Sequence, residues 1–466
     1  MVTRRSLLAF ALAAIAVAVL FARPRPTPGP VARDFESYWA AGAAWNAHAD
    51  PYGRAVWNAE RTVPGVDAQR DELLPFVGPP ATLLVWSLFA RLPYAIAAGL
   101  WSALLGLAVV ALVACALRAS AAHVSTTTFL TALALAIAFG PVTSDFALGQ
   151  LALPAFLGAT LVVLYATRSV ALATPAAWLA FAQPNAALGL ISQLGRNRAT
   201  LAIVLGAVAA YALGTVAANW AWPIEYARVL AAHADAERFV AIQLSPASIA
   251  YGFGAAPRAA EVIGIITAVL AVAAAMALAL RVRDRYARFA AFSALSPFAA
   301  GFFHEHDLVV AYAGVLWCAL RTRATTRVVA LVGTLLVAID WLGLAQRPTG
   351  VAQSCLLASA AFAAFVALGE RLEHRATLVT GFALAVVLAG AAWIGSHHPV
   401  PIWPDALGAF HATASAGPAT TWNAEQRVSG LFAAVPAWAA LRSLSLLGSG
   451  LLAYAIYRHS ACCRTA

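Results

Sequence analysis

The chain is 466 residues long, 62% hydrophobic and only 11% charged, with a mean hydropathy of +0.78. Soluble domains carry about a quarter charged residues, so this composition excludes a soluble enzyme, and the net charge of +10 is no nucleic-acid signal. All 30 basic residues are arginine, which together with the abundant alanine suggests a GC-rich bacterial genome.

The chain opens on MVTRR and an apolar core, the pattern of a signal peptide. That core is long and Arg23-Pro24-Arg25 follows directly, so it reads as an uncleaved first helix at 6–22, cleavage being the alternative. Further apolar runs fall at 95–117, 126–142, 150–167, 199–219, 259–280, 288–303, 308–320, 328–345, 352–369, 377–395 and 430–457. Runs of this kind, about 17–25 residues each, predict transmembrane helices. Two shorter pieces, 170–182 and 185–194, are broken at Pro184 and predict a re-entrant hairpin or two thin spans. The fold expected is an all-α polytopic integral membrane protein, one transmembrane domain over 1–466 with about 12–14 helical segments.

Arginine placement orients these spans. Arg4, Arg5, Arg118, Arg168, Arg196, Arg198, the 281–288 and 321–327 clusters, Arg371, Arg375, Arg458 and Arg464 fall on one side. The short opposite connections hold only Arg347. The positive-inside rule then places both termini in the cytoplasm. The extracytoplasmic side receives the 23–94 loop, the 220–258 loop, FFHEHD, and the 396–428 loop. Trp101, Trp220, Trp222, Trp341, Trp393 and Trp403 lie near span ends, where interfacial aromatics gather. No cytoplasmic segment is long enough for an ATP-driven domain, and no phosphate-cradling Gly-rich loop with its lysine occurs. Cys115, Cys318 and Cys355 lie in apolar runs and Cys462 and Cys463 in the tail, so none sits where an exported disulfide is expected.

The first external loop begins RDFESYWAAGAAWNAHADPYG, residues 33–53. As a helix it places Asp34, Tyr38, Ala41 and Trp45 on one face, and Pro51 stops it. The expectation is an amphipathic helix lying on the bilayer surface. Asp34 sits near its N-terminus, where the helix dipole favours an ionised carboxylate, available as a general base for a hydroxyl. An N-cap role for Asp34 is the competing reading. Glu36 projects away from Asp34, so no carboxylate pair is expected.

This loop resembles the D-F-x-x-Y-x-A-x-x-A…D-P-Y signature of the glycosyltransferase 87 family, polyprenol-phosphate-mannose-dependent mannosyltransferases of the GT-C superfamily. The likeness continues in order through GPPATLLVWSLFARLP, FALGQLALPAFLGATLVVL, AQPNAALGLISQLGRNR and SPFAAGFFHEHDLVV. It implies a GT-C-type helix bundle that moves a sugar from a polyprenyl-phosphate donor to a lipid or glycan acceptor, with inversion, outside the inner membrane. It also implies Asp34 as the base. Gln183 stands where that family often has lysine; Arg33, Arg54 and Arg258 are candidate replacements for the lost cation.

The other donor- or acceptor-binding candidates are Tyr38, Gln150, Gln183, Asn185, His304, Glu305 and His306. His304 and His306 are expected to meet donor phosphate as imidazolium or to orient the sugar. The H-x-H spacing also permits a metal pair, but no third or fourth ligand is evident, so no cofactor is assigned and a divalent cation is not required. Gln150 is read as a sugar-hydroxyl contact or a plain helix start. Pro184 and Asn185 are read as a kink and the group that satisfies the carbonyls it frees. His397, His398, His411, Trp403 and Asp405 decorate the last external loop. Acceptor recognition is placed there or in the 220–258 loop with Glu225, Asp235 and Glu237. The rival classes are a transporter or lipid-sugar flippase and an envelope scaffold. Proton-coupled transporters carry ionisable groups at mid-span, whereas these spans read as almost free of charge.

Overall fold

A computed structural model describes residues 3–21, 30–120, 124–346, 349–369 and 372–462. The sequence features at Arg23–Arg25, Arg347, Arg371, Cys463 and Arg464 lie outside the described residues. Among those described there are 22 α-helices and four short 3-10 turns, with no strand. A charge-poor run in lipid must satisfy its backbone internally, and a helix does so within one segment.

Helices form along the predicted apolar runs, and six are long and apolar enough to cross a bilayer: Tyr94–Ser120, Asn197–Ala217, Pro257–Arg281, Gly350–Leu368, His374–His397 and Pro436–Ala461. A seventh candidate is the pair Thr126–Ile137 and Gly140–Leu148, bent by 67°. Ala152–Tyr165, Val170–Phe181 and Ala324–Ala338 are apolar but shorter. The protein is a multi-pass membrane protein. Only 11% of the most apolar window of Pro257–Arg281 is buried within the protein, so this helix offers its side chains to lipid. The last span, by contrast, packs tightly on Ala324–Ala338. A Cβ on Gly448 would lie 2.8 Å from the Gly333 carbonyl oxygen; two glycines bring the helix backbones together, as small residues do in membranes.

The first-loop helix runs Phe35–Asn46 and does not lie on a bilayer surface. Its Phe35, Glu36, Ser37, Tyr38, Ala40 and Ala41 are all buried. Tyr38 stacks on Trp86 with ring centroids 4.9 Å apart, and Phe35 on Trp101 at 5.9 Å. Gly42 lets the Leu83–Phe89 helix approach, since a Cβ there would meet the Trp86 carbonyl oxygen at 2.3 Å. The small residues of AAGAA therefore serve helix packing, and the aromatics face protein where headgroups were expected. The helix ends at Asn46, five residues before Pro51, and His48 takes a left-handed backbone (φ 56°).

The 220–258 loop folds into helices Trp222–Glu237 and Pro246–Gly252, and the 396–428 loop ends in helix Pro418–Val428. Pro184 opens a short helix, Pro184–Ala187, that runs into a 3-10 turn. Asn185 does not bond kink carbonyls: its amide reaches the Phe302 carbonyl (2.9 Å) and the Asp307 carboxylate (3.1 Å). These loops and helix ends close over one cavity.

Candidate active site

That cavity measures about 510 Å³. Its lining includes Asp34, Tyr38, Gln150, Gln183, His304, Glu305 and His306. Of the binding candidates read from sequence, only Asn185 is not among the lining residues; it stands behind them.

Asp34 is set by its main chain, whose N–H donates to the Leu148 carbonyl at 2.8 Å. Gly149 makes that approach possible. It adopts φ +73°, and a Cβ there would fall 2.8 Å from Ala32 Cβ and 2.9 Å from Phe35 Cβ. Its carbonyl is held by Trp101 Nε1 at 2.8 Å. Gln150, next in the chain, then donates from Nε2 to Asp34 Oδ2 at 2.5 Å, while the Tyr38 hydroxyl donates to its Oε1 at 2.6 Å. The Gln150 amide is thus engaged by protein at both ends while still lining the cavity.

Asp34 makes no side-chain cap to its helix, which removes the N-cap reading. Nor is its carboxylate held low by the helix dipole. Burial pushes its pKa up from 3.8 to about 6, against the opposing pull of Gln150, His304 and Arg33. Desolvation outweighs nearby partners when a carboxyl leaves water. A carboxyl poised near 6 is a better general base at neutral pH than a free aspartate. Glu36 does point elsewhere, to Arg33 (3.6 Å), and burial lifts it to about 8.

The second half of the site is built on Glu237 and Asp307. His304 Nε2 lies 3.0 Å from Glu237 Oε2, which also accepts from Gln243 Nε2 at 2.6 Å. Glu237 Oε1 accepts from Trp422 Nε1. Burial alone would lower the pKa of His304, but the carboxylates of Glu237, Asp307 and Asp34 together outweigh it and raise it. These neighbours favour the imidazolium form of His304. For His306 burial prevails over the opposing charges of Asp307 and Glu237 and pulls it down to about 4, so it is neutral, contrary to the expectation of two imidazolium groups. Burial, and after it the charge of Asp340, raises the pKa of Glu305 well above its usual range.

Asp307 supplies the third ligand that the H-x-H pair lacked. Ligating atoms of His304, His306 and Asp307 lie within 4.8 Å of one another. The set is nonetheless already wired for another purpose. Asp307 accepts from Gln183 Nε2 (3.0 Å), Asn185 Nδ2 (3.1 Å) and the His304 N–H (3.0 Å). Gln183, in place of lysine, brings an amide to this carboxylate and no charge.

Of the proposed replacement cations, Arg33 lines the cavity, but Glu72 (3.3 Å) and Glu36 occupy its charge and it lies over the Trp403 ring at 4.7 Å. Arg54 turns away to the carbonyls of Thr413 and Ala416, and neither Arg54 nor Arg258 lines this cavity. Arg442 does line it. This arginine sits inside the last span, buried, bonded to the Gln243 carbonyl and Ser248 Oγ, both at 2.7 Å. The reading of the spans as nearly free of charge overlooked it. An ionisable group inside an apolar run was the available signal.

The glycosyltransferase family 87 profile matches residues 76–303. Across that stretch the chain is similar to glycosyltransferase family 87. No curated protein and no solved structure matches the chain. Together with its spans, the match makes this a membrane glycosyltransferase. The family 87 stretch supplies Gln150, Gln183, Asn185 and Glu237 to the cavity wall or its support. Asp34 precedes it and His304 follows it directly.

Proposed function

We propose that this protein transfers a sugar from a polyprenyl-phosphate donor to a hydroxyl of a lipid or glycan acceptor. The observation that carries the reading is one cavity lined by both polar and apolar side chains. Asp34, His304, Arg442 and Ser445 line it together with Trp341, Leu342, Leu344 and Leu357, and Gln243 links Arg442 to His304. A lipid phosphate needs such mixed surroundings: tail among apolar side chains, phosphate beside cations, sugar among hydrogen-bonding groups. Membrane lipids surround the site, and no nucleic acid is involved.

In the reaction Asp34 takes the proton of the acceptor hydroxyl as its oxygen attacks the anomeric carbon. A new C–O bond forms as the bond to the phosphate oxygen breaks, with inversion, and polyprenyl phosphate leaves with the electron pair. His304 and Arg442 stabilise its charge. A buried guanidinium without a carboxylate costs free energy, and among the described ion pairs none involves Arg442. An anionic ligand supplies the missing charge. Mannose is the sugar favoured, through the resemblance of the first loop and its neighbours to mannosyltransferases. The cavity opens on the extracytoplasmic face of a bacterial inner membrane and both termini are cytoplasmic, as the arginine distribution argues.

The test is to incubate purified protein with a panel of polyprenyl-phosphate sugars and candidate acceptors, and to identify products by mass spectrometry. Product formation by wild type and not by Asp34→Asn supports the reading. Full activity of Asp34→Asn, or no product from any donor, removes it.

A further inference from the structure

A second cavity, of about 620 Å³, lies beyond the wall of the first and takes no part in the chemistry above. Four aromatic residues line it: Trp45, Tyr52, Trp222 and Tyr226. Each has its polar atom tied to the main chain. Trp45 Nε1 donates to the Ala217 carbonyl (2.7 Å) and Trp222 Nε1 to that of Tyr211 (3.1 Å). The Tyr52 hydroxyl donates to the Gly78 carbonyl (2.7 Å) and that of Tyr226 to Val77 (3.0 Å). The rings are therefore anchored, and what they have left to offer a ligand is ring surface. Trp222 and Tyr226 lie 6.0 Å apart and Tyr226 and Tyr52 6.4 Å, so three of the rings form one continuous patch.

Among these rings stand two exposed carboxylates, Asp50 and Glu225, and one arginine, Arg91. Two acids against one cation disfavour a phosphate or an anionic headgroup. Carboxylates accept hydrogen bonds from hydroxyl groups, while the electron-rich face of an aromatic ring attracts the polarised C–H edge of a ligand. Fixed ring surfaces with interspersed acceptors suit a neutral, hydroxyl-rich molecule. Carbohydrate is that class.

The two cavities share a partition. Leu74, Pro75 and Val77 line the Asp34 cavity, and Pro80 lines the second. The tyrosines that face the second cavity hold the partition by its Val77 and Gly78 carbonyls. We infer that the second cavity is a subsite for the inner sugars of a glycan acceptor, whose terminal sugar reaches Asp34 around this partition. The inference rests on the glycosyltransfer reading and selects a glycan over a simple lipid as acceptor.

The experiment uses the full chain in nanodiscs. Binding of linear mannotetraose, maltotetraose, inorganic phosphate and glycerophosphoinositol is measured by calorimetry on Asp34→Asn, where turnover does not interfere. Expected is binding of at least one tetrasaccharide, weakened tenfold or more by Trp222→Ala and by Glu225→Gln in that background, and largely kept by Trp222→Phe. With active protein, the same substitutions raise KM for the tetrasaccharide acceptor tenfold, leaving kcat and the donor KM unchanged. Absence of tetrasaccharide binding, equal affinity in all variants, or phosphate and glycerophosphoinositol as the ligands lost would each overturn the inference. Should Trp222→Ala fail to fold, Glu225→Gln and Trp222→Phe decide. Because binding is read without turnover, a failure of the glycosyltransfer reading shows in the donor panel alone.

Discussion

Gln150 donates its side-chain amide to the carboxylate of Asp34 across 116 positions of chain, with its own carbonyl held by the Tyr38 hydroxyl. The amide cannot flip without losing both bonds. It engages Oδ2 of Asp34 and leaves Oδ1 as the oxygen expected to take a proton. Asp34→Asn keeps the shape and removes the base, so transfer should fall about 10²–10⁴-fold with membrane expression intact. Gln150→Leu, which loosens the carboxylate without removing it, should cost less. Initial rates on purified protein check both.

The pH profile follows from the burial of Asp34. With its pKa lifted to about 6, kcat/KM should rise through pH 6 and level off above it. Gln150 opposes the lift, so Gln150→Leu should move the midpoint upward; an unchanged midpoint would show that the profile belongs to another group.

The same shift has a stability counterpart. A folded pKa above the unfolded value means the folded state favours the protonated form. Its contribution is complete below about pH 4, the range of a free aspartate, and is lost as pH rises through 6. Asp34→Asn carries no charge to bury, so its melting temperature should exceed that of wild type at pH 8, with the gap narrowing by pH 4. Thermal unfolding at the two pH values reads this directly.

Glu237 should govern the alkaline limb. It keeps His304 protonated against the pull of burial. Glu237→Gln should shift the loss of activity to lower pH and leave the limb near pH 6 in place. A pH–rate profile that loses both limbs equally would mean that Glu237 acts only through folding.

Arg442 should act on the donor. Arg442→Gln retains hydrogen bonding and removes charge, and should raise the donor KM about 10–100-fold, the cost of about 1.4–2.7 kcal/mol. Arg442→Lys should recover part of it. An unaltered donor KM would exclude a phosphate contact.

Gly149 is the backbone condition for all of this. Gly149→Ala would strain a φ of +73° by about 1–2 kcal/mol and drive its Cβ into Ala32 and Phe35. Activity should fall more than thermal stability, because the displaced segment carries Asp34.

The lipid-soluble, all-helical character of this chain was legible in composition, since the cost of placing a side chain in lipid is local and nearly additive along a run. The Asp34 loop was legible too, its acids and aromatics standing out after an apolar run. Tertiary structure alone decided which distant polar groups meet: Asp34 with Gln150, Glu237 with His304, and Gln183 and Asn185 with an Asp307 more than 120 positions away. It also decided that Phe35–Asn46 is buried, because the Leu83–Phe89 helix covers a face that reads in isolation as a membrane-surface face. Burial and neighbouring charge then set the pKa shifts, lifting the Asp34 carboxyl to about 6 and parting His304, raised by its carboxylate neighbours, from His306, lowered to about 4. Hydropathy is a property of each residue, whereas desolvation and pairing are properties of its neighbours, and neighbours are chosen by packing.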